Sequence, residues 1–518
     1  MKKYLTPLNI IFATEVLVVV LESLGLIPRE AVLVLTGLMF FYVIFSPVQD
    51  ALWLVIASIP LFVALPLADN FDTLANWRIL IAILFLCLYF KQGVSLNLVK
   101  NSQGQFRVKE NLKHYALEYL VLAFLVIAAA SISVANFKFI AVKQLLFLIN
   151  IFLLFLIVRN VARRKEKLIR LLSAAAAGGL VVLAVALAQF IAVLFVPLFG
   201  FWQFWADKVI EVLYGQNLSQ LLSYANTWFA YYAGNPPTLR LFSVFPDSHS
   251  FAMFCILIIP VFLGLAFYFK DDKKKRIFYW LMTGLAWAGI VFSGSRGAWL
   301  SAAPPALVAL YFYFRKFEPL MVKKIISGLA VFVLLFLISS GYPMFYYTFR
   351  AWQTGQDAST TISFFERARS ISNLDELSNS GRLEIWATSL RSIARHPFLG
   401  VGLGNYITVL NQDVSAAKQG SSAHNLYLDF ASETGIFGVL ILIAIFANIL
   451  YTSWLVFRHA REPYFKFYGL LAGLYFLWVA AYSFFDVVLL NDKVLMLAMV
   501  VLAVLYGLRN LIFNPEKI

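Results

Sequence analysis

Four side chains in this sequence have the type and surroundings for phosphate and proton chemistry: Arg240, Arg296, Arg382 and His424. Arg240 opens the run Arg240-Leu241-Phe242-Ser243, Arg296 lies within Ser293-Gly294-Ser295-Arg296-Gly297, and Arg382 follows Ser380-Gly381. None has an obvious carboxylate partner at local spacing. Guanidinium groups grip phosphate oxygens in bidentate geometry and cannot lose their charge, so three of them suit a diphosphate. His424 precedes an apolar run and could take a proton from a hydroxyl near neutral pH. His396 stands before a proline in a turn-like segment and reads as structural, while His114 and His459 fall on the opposite, cytoplasmic side. No histidine pair has metal-ligand spacing, so neither a metal nor another cofactor is expected.

The elements that must hold these groups are set by composition. Apolar residues make up 61% of the 518 and charged residues 13%, and the mean hydropathy is +0.80, values that exclude a soluble globular chain. The reading is an all-α polytopic membrane protein of about 12 to 14 transmembrane helices. Fourteen apolar stretches support it, near 8–27, 31–46, 50–68, 77–90, 115–134, 138–158, 170–197, 248–269, 277–294, 297–314, 325–341, 433–457, 467–486 and 493–512. Lys2 and Lys3 lead into an uncleaved first helix rather than a signal peptide. With both termini inside, 27 of the 42 lysines and arginines fall on cytoplasmic segments, as the positive-inside rule requires. The clusters Arg163-Arg164-Lys165 and Lys273-Lys274-Lys275-Arg276 then read as topology anchors beside anionic lipid, not as a nucleic-acid surface. Cys87 and Cys255 fall inside spans and read as inert core residues.

This topology puts all four candidate residues on the outer side of a single membrane domain with two external elaborations. The first, 198–247, is dense in aromatics and is expected to lay short amphipathic helices on the outer leaflet. The second, 341–425, is a long polar loop that carries Arg382, His396 to Asn405 and His424, and external loops of that length are usually functional. Within it Gly400, Gly402 and Gly404 do not form a dinucleotide fingerprint, because no strand precedes them; they read as turns or helix breakers.

These residues resemble the O-antigen ligase and O-antigen polymerase superfamily over roughly 240–450. The resemblance is strongest at Ser293 to Gly297, at Ser380-Gly381-Arg382 with Trp386, from His396-Pro397 to Gly404-Asn405, and at His424 with Gly435. It departs from the family pattern at Ser243, where glycine is common, and at Asp247 to His249, where asparagine is commoner. What the resemblance implies is a glycosyltransferase C-like membrane fold in the bacterial cytoplasmic membrane. It also implies an inverting, metal-independent transfer from a polyprenyl-diphosphate-linked glycan donor to a glycan or lipid-linked acceptor. In that reading Arg240, Arg296 and Arg382 bind the diphosphate and His424 activates the acceptor hydroxyl.

Ligase and polymerase share the donor chemistry and differ in the acceptor, so both readings stand at this point. A transporter would need broken helices or inverted repeats near the midplane, and no paired interruptions are visible. A metal-dependent oligosaccharyltransferase would lean on Asp69 and Asp72, two acids with turn-like spacing. Glu15 and Glu22, seven residues apart, share one face of the first helix and are expected to look into the protein or a wet crevice.

Overall fold

The computed structural model describes residues 6–67, 74–92, 114–223, 228–232, 235–316, 319–339, 342–354, 377–410 and 422–513. Asp69 and Asp72 lie outside the described residues, as does 355–376. Each of the fourteen apolar stretches carries a helix. Among the described residues eight helical segments are long and apolar enough to cross a bilayer: Ala116–Val134, Lys138–Val161, Lys165–Phe195, Ser248–Tyr268, Arg296–Phe314, Leu426–His459, Pro463–Tyr482 and Asp492–Phe513. The protein is an all-α, multi-pass membrane protein.

The centre of the bundle is the Ser248–Tyr268 helix, which is almost wholly buried and packs against Lys165–Phe195, Lys273–Phe292, Pro463–Tyr482 and Asp492–Phe513. Inside a bilayer, apolar side chains gain little by leaving lipid, so association depends on close backbone approach and on polar contacts. Small residues provide the approach. At Gly179 a Cβ would stand 2.7 Å from Ile258 Cγ1 and 2.9 Å from the Phe262 ring, so only glycine admits the central helix at this distance. Outer helices instead turn large apolar side chains toward lipid, among them Phe139, Leu122 and Val126.

Polar contacts fix the first helix. Glu15 is fully buried and accepts from the Ser58 hydroxyl, and the equally buried Lys493 ammonium donates to the carbonyls of Pro60 at 3.1 Å and Phe62 at 2.7 Å. Glu22 is buried on the same side. Both acids therefore face protein, not lipid, as their shared helical face implies.

Two departures from regular helix shape the end of the bundle that carries Arg240 and His424. In the 198–247 segment, short helices from Leu198 to Ser223 give way to an antiparallel ribbon, Phe229–Tyr232 against Asn235–Leu239, with Phe229 paired to Leu239. Its aromatics fold onto the core: Trp228 is fully buried and stacks on Phe242 at 4.5 Å. The Leu426–His459 helix is broken at Gly435, whose φ of 74° and ψ of −174° are open only to glycine. Through that break runs the 396–405 segment. Ile436 N–H donates to Pro397 O at 2.8 Å, Val401 N–H to Ser432 O at 2.8 Å, and Gly402 N–H to Glu433 O at 3.0 Å. On its far side Leu403 N–H donates to Ser131 Oγ at 3.1 Å, and Asn405 Oδ1 accepts from Phe137 N–H at 2.7 Å. Gly400, Gly402 and Gly404, all at positive φ, thus build a bracket between two helical hairpins.

A Cβ at Gly435 would collide with the Phe398 carbonyl and force an L-residue into a left-handed conformation. Gly435→Ala is therefore expected to lower stability by about 2 kcal/mol or more. Gly37→Ala, in open space within a helix, should be neutral or slightly stabilising. Thermal melts of both variants in one detergent check the contrast.

Candidate functional site

The ribbon delivers Arg240. Its backbone N–H donates to Trp228 O at 2.8 Å, and the next residue, Leu241, donates to Phe292 O at 3.0 Å, which ties the strand end to the Lys273–Phe292 helix. The Arg240 side chain is buried; Nε donates to Ser293 O at 2.9 Å and a terminal nitrogen reaches His249 Nε2 at 3.2 Å. Just beyond, Ser243 has φ of 51°, a left-handed conformation that glycine would adopt without strain. In this chain Gln189 holds the turn instead, accepting from Ser243 N–H at 2.8 Å and donating to Ser243 O at 3.0 Å.

The turn ends at Asp247, which caps the central helix by accepting from Ser250 N–H and Ser250 Oγ, each at 2.7 Å. Burial raises the Asp247 pKa, while the bonds from Ser250 pull it back. One residue into the helix, His249 Nδ1 lies 3.0 Å from Ser295 Oγ, 3.2 Å from Tyr482 OH and 3.3 Å from Asp486 Oδ2. Ser295 Oγ and Tyr482 OH bond each other at 2.6 Å. Ser295 also caps the short Arg296–Leu300 helix, so Arg296 occupies its first position, half-buried and one residue from the cluster.

Asp486 lies in the turn after the Pro463–Tyr482 helix and is buried. That turn also receives His424, because Leu426 N–H donates to Ser483 O at 2.8 Å while Asn425 Oδ1 caps the helix by accepting from Tyr427 and Leu428. His424 has φ of 47°. Its buried Nδ1 faces Asp486 Oδ1 at 3.8 Å, yet 44% of the side chain is exposed, so the opposite, Nε2 edge is the open one. Trp386 Nε1 donates to Ala423 O at 3.0 Å and clamps the Leu377–Arg395 helix over this loop. Arg382, one turn earlier and half-buried, comes within electrostatic reach of both Asp486 and His249. Burial alone would raise the Asp486 pKa, but His249, His424 and Arg382 outweigh it and hold the carboxyl well below the usual carboxylate range.

The structure therefore joins Arg240 to His424 through His249 and Asp486, brings Arg382 beside them, and places Arg296 next to Ser295. His249 and Asp486 are absent from the sequence-derived set. Asp486 could have been found as an acid stranded between two apolar helices; its pairing with His424 rests on a distant contact with no local spacing. Among the described residues no group of three or more histidine, cysteine or acidic side chains could hold a metal ion.

The O-antigen ligase family model matches residues 281–443, a stretch that holds Arg296, Arg382 and His424. Over that stretch the chain is similar to the O-antigen ligase family. An O-antigen polymerase of Salmonella muenchen is 25% identical over 288 residues, 53% of this chain and 65% of the relative. A ComP-specific O-oligosaccharyltransferase of Acinetobacter baylyi is 26% identical over 206 residues, 38% of this chain and 34% of the relative. An O-antigen ligase of Pseudomonas aeruginosa is 33% identical over 101 residues, 18% and 24% of the two chains. The chain thus spans less than two thirds of each of these superfamily members. Arg240, His249 and Asp486 lie outside the matched 281–443.

Because ionised Asp486 is favoured by the folded state, its contribution to stability is complete above the ordinary aspartate pKa and is lost as pH falls through the lowered one. Asp486→Asn is expected to lower the unfolding midpoint at pH 7, and the gap to wild type should close below about pH 4. Melting curves over that range read the effect.

Proposed function

We propose that this chain transfers a glycan from a polyprenyl-diphosphate carrier to an acceptor hydroxyl at the outer face of the cytoplasmic membrane, in the manner of an O-antigen ligase. The observation that carries the reading is His424, with its Nδ1 edge buried against an ionised carboxylate and its other edge open, beside guanidinium groups at Arg240 and Arg382. A base oriented by a carboxylate is the arrangement that activates a hydroxyl. The resting 3.8 Å separation would shorten once an acceptor is bound.

In the reaction the acceptor oxygen gives its proton to His424 Nε2 and attacks the anomeric carbon. The bond to the diphosphate oxygen breaks, and the configuration inverts. Negative charge grows on the departing diphosphate, where Arg240, Arg296 and Arg382 stabilise it more in the transition state than in the ground state. Three guanidiniums supply what a divalent cation supplies elsewhere, so turnover is expected to survive chelation.

Two features support the location. The site lies at the N-terminal end of the Ser248–Tyr268 helix, whereas the lysine-rich turn 270–276 lies at its other end, about 30 Å away by helix rise. Positive charge at that end supports a cytoplasmic placement for it and an outward-facing site. In addition, Leu426 and Leu489, close in sequence to His424 and Asp486, line an apolar cavity of about 130 Å³ among the Ala116–Ser131, Lys138–Val161, Leu426–His459 and Asp492–Phe513 helices. A prenyl tail could enter there.

The same machinery serves a polymerase if the acceptor is a second lipid-linked repeat; the Salmonella polymerase match keeps that second reading. Glycans extracted from a deletion strain separate the two: long unattached chains indicate a ligase, accumulated single lipid-linked repeats a polymerase. For the chemistry, reconstituted protein supplied with a polyprenyl-diphosphate oligosaccharide and acceptor is the test. Arg296→Ala and His424→Ala should each lower turnover by at least about a hundredfold with normal expression, and EDTA should not. Normal transfer by Arg296→Ala would remove that residue from the mechanism.

A further inference from the structure

His249 is packed among Arg240, Ser295, Tyr482 and Asp486, and nothing in the reaction above uses it. Its surroundings dictate its tautomer. Arg240 can only donate, so at 3.2 Å His249 Nε2 must be the acceptor and the ring proton sits on Nδ1. Nδ1 then points its proton into three oxygens, Ser295 Oγ at 3.0 Å, Tyr482 OH at 3.2 Å and Asp486 Oδ2 at 3.3 Å, of which the ionised Asp486 exerts the strongest pull; Asp486 Oδ1 faces His424 Nδ1 at 3.8 Å.

We infer that His249 is a positioning residue that links diphosphate-side Arg240 to Asp486 and thereby sets the orientation of His424. The link runs from Arg240 to His249 by a hydrogen bond, from His249 Nδ1 to Asp486 Oδ2 across 3.3 Å, and from Asp486 Oδ1 to His424 Nδ1 across 3.8 Å. An uncharged imidazole is the fitting connector, because a protonated one would press a third cation against Arg240 and Arg382 and could accept nothing from Arg240. The charged and titratable groups facing the ring are Asp486, Arg240, Arg382 and His424, with Tyr482 and Ser295 supplying hydroxyls. Asp247, two residues away, is engaged by Ser250 instead. A displaced donor diphosphate would pull on Arg240, and the same contacts would carry that displacement to the base.

The inference rests on the transferase reading for its kinetic arm and on chemistry alone for its spectroscopic arm. In reconstituted turnover, His249→Leu should lower kcat by about tenfold or more with donor KM within about twofold, the range seen when a supporting partner is removed. His249→Asn keeps an amide donor near the Nδ1 position and should stay within about threefold of wild type. On an Asp486→Asn background the leucine change should add nothing, because the partner it acts through is gone. A KM effect without a kcat effect, a full tenfold loss in His249→Asn, or a fully multiplicative double variant would each overturn the inference. Independently, nitrogen NMR of histidine-labelled protein at pH 7, with the His249 signals assigned by their loss in His249→Asn, should show a neutral ring protonated at Nδ1. An imidazolium or an Nε2–H ring would overturn it even if glycan transfer is confirmed; the expected tautomer with no transfer by wild type would sink the transferase reading and leave the bond assignment standing.

Discussion

One buried carboxylate organises the end of the bundle that carries Arg240 and His424. Asp486 receives His249 on one oxygen and faces His424 on the other, with Arg382 within electrostatic reach. A lone ionised carboxylate at that depth would cost several kcal/mol, so the residues around it must arrive with their positive charge or their protons aimed inward. Much of the neighbouring architecture serves that delivery. The ribbon brings Arg240, the Asp247 cap starts the central helix with His249 in its first turn, and the bond from Leu426 to Ser483 lays the His424 loop against the Asp486 turn.

The glycine bracket gives the arrangement its rigidity. A helix that begins at Leu426 and continued unbroken would leave its outer third without support from the 396–405 segment. Breaking it at Gly435 lets that segment thread through and bond both to the helix and to the Ser131–Phe137 turn. The Leu377–Arg395 helix leads directly into the bracket and is clamped by Trp386 to Ala423, which ties the helix carrying Arg382 to the backbone beside His424.

The helices were legible in the sequence because the bilayer imposes a length and a composition on every span: all fourteen apolar stretches carry a helix, and eight described helical segments are long and apolar enough to cross a bilayer. The buried face of Glu15 and Glu22 was legible for the same reason: helical periodicity is local. The ribbon was not, because Asn235-Pro236-Pro237 reads as a loop and its pairing depends on Trp228 and Phe242 finding the core. Arg240, Arg296, Arg382 and His424 stood out as charges out of keeping with their surroundings. Asp486 and His249 escaped notice as site residues because their significance is relational; one faces a histidine in a distant loop, and the other meets Arg240, Ser295 and Tyr482 only once the chain is folded. The three glycines from 400 to 404 showed a turn but not what the turn embraces.

The most direct measurement is a cryo-electron microscopy structure of the protein in nanodiscs with a non-cleavable polyprenyl phosphonate analogue of the donor. The account predicts phosphonate oxygens within hydrogen-bond distance of Arg240 and Arg382, the prenyl chain beside Leu426 and Leu489, and the His424 Nε2 edge facing the anomeric carbon. Head-group density at the cytoplasmic end, near Lys273 to Arg276, or a donor out of reach of both arginines, would contradict it.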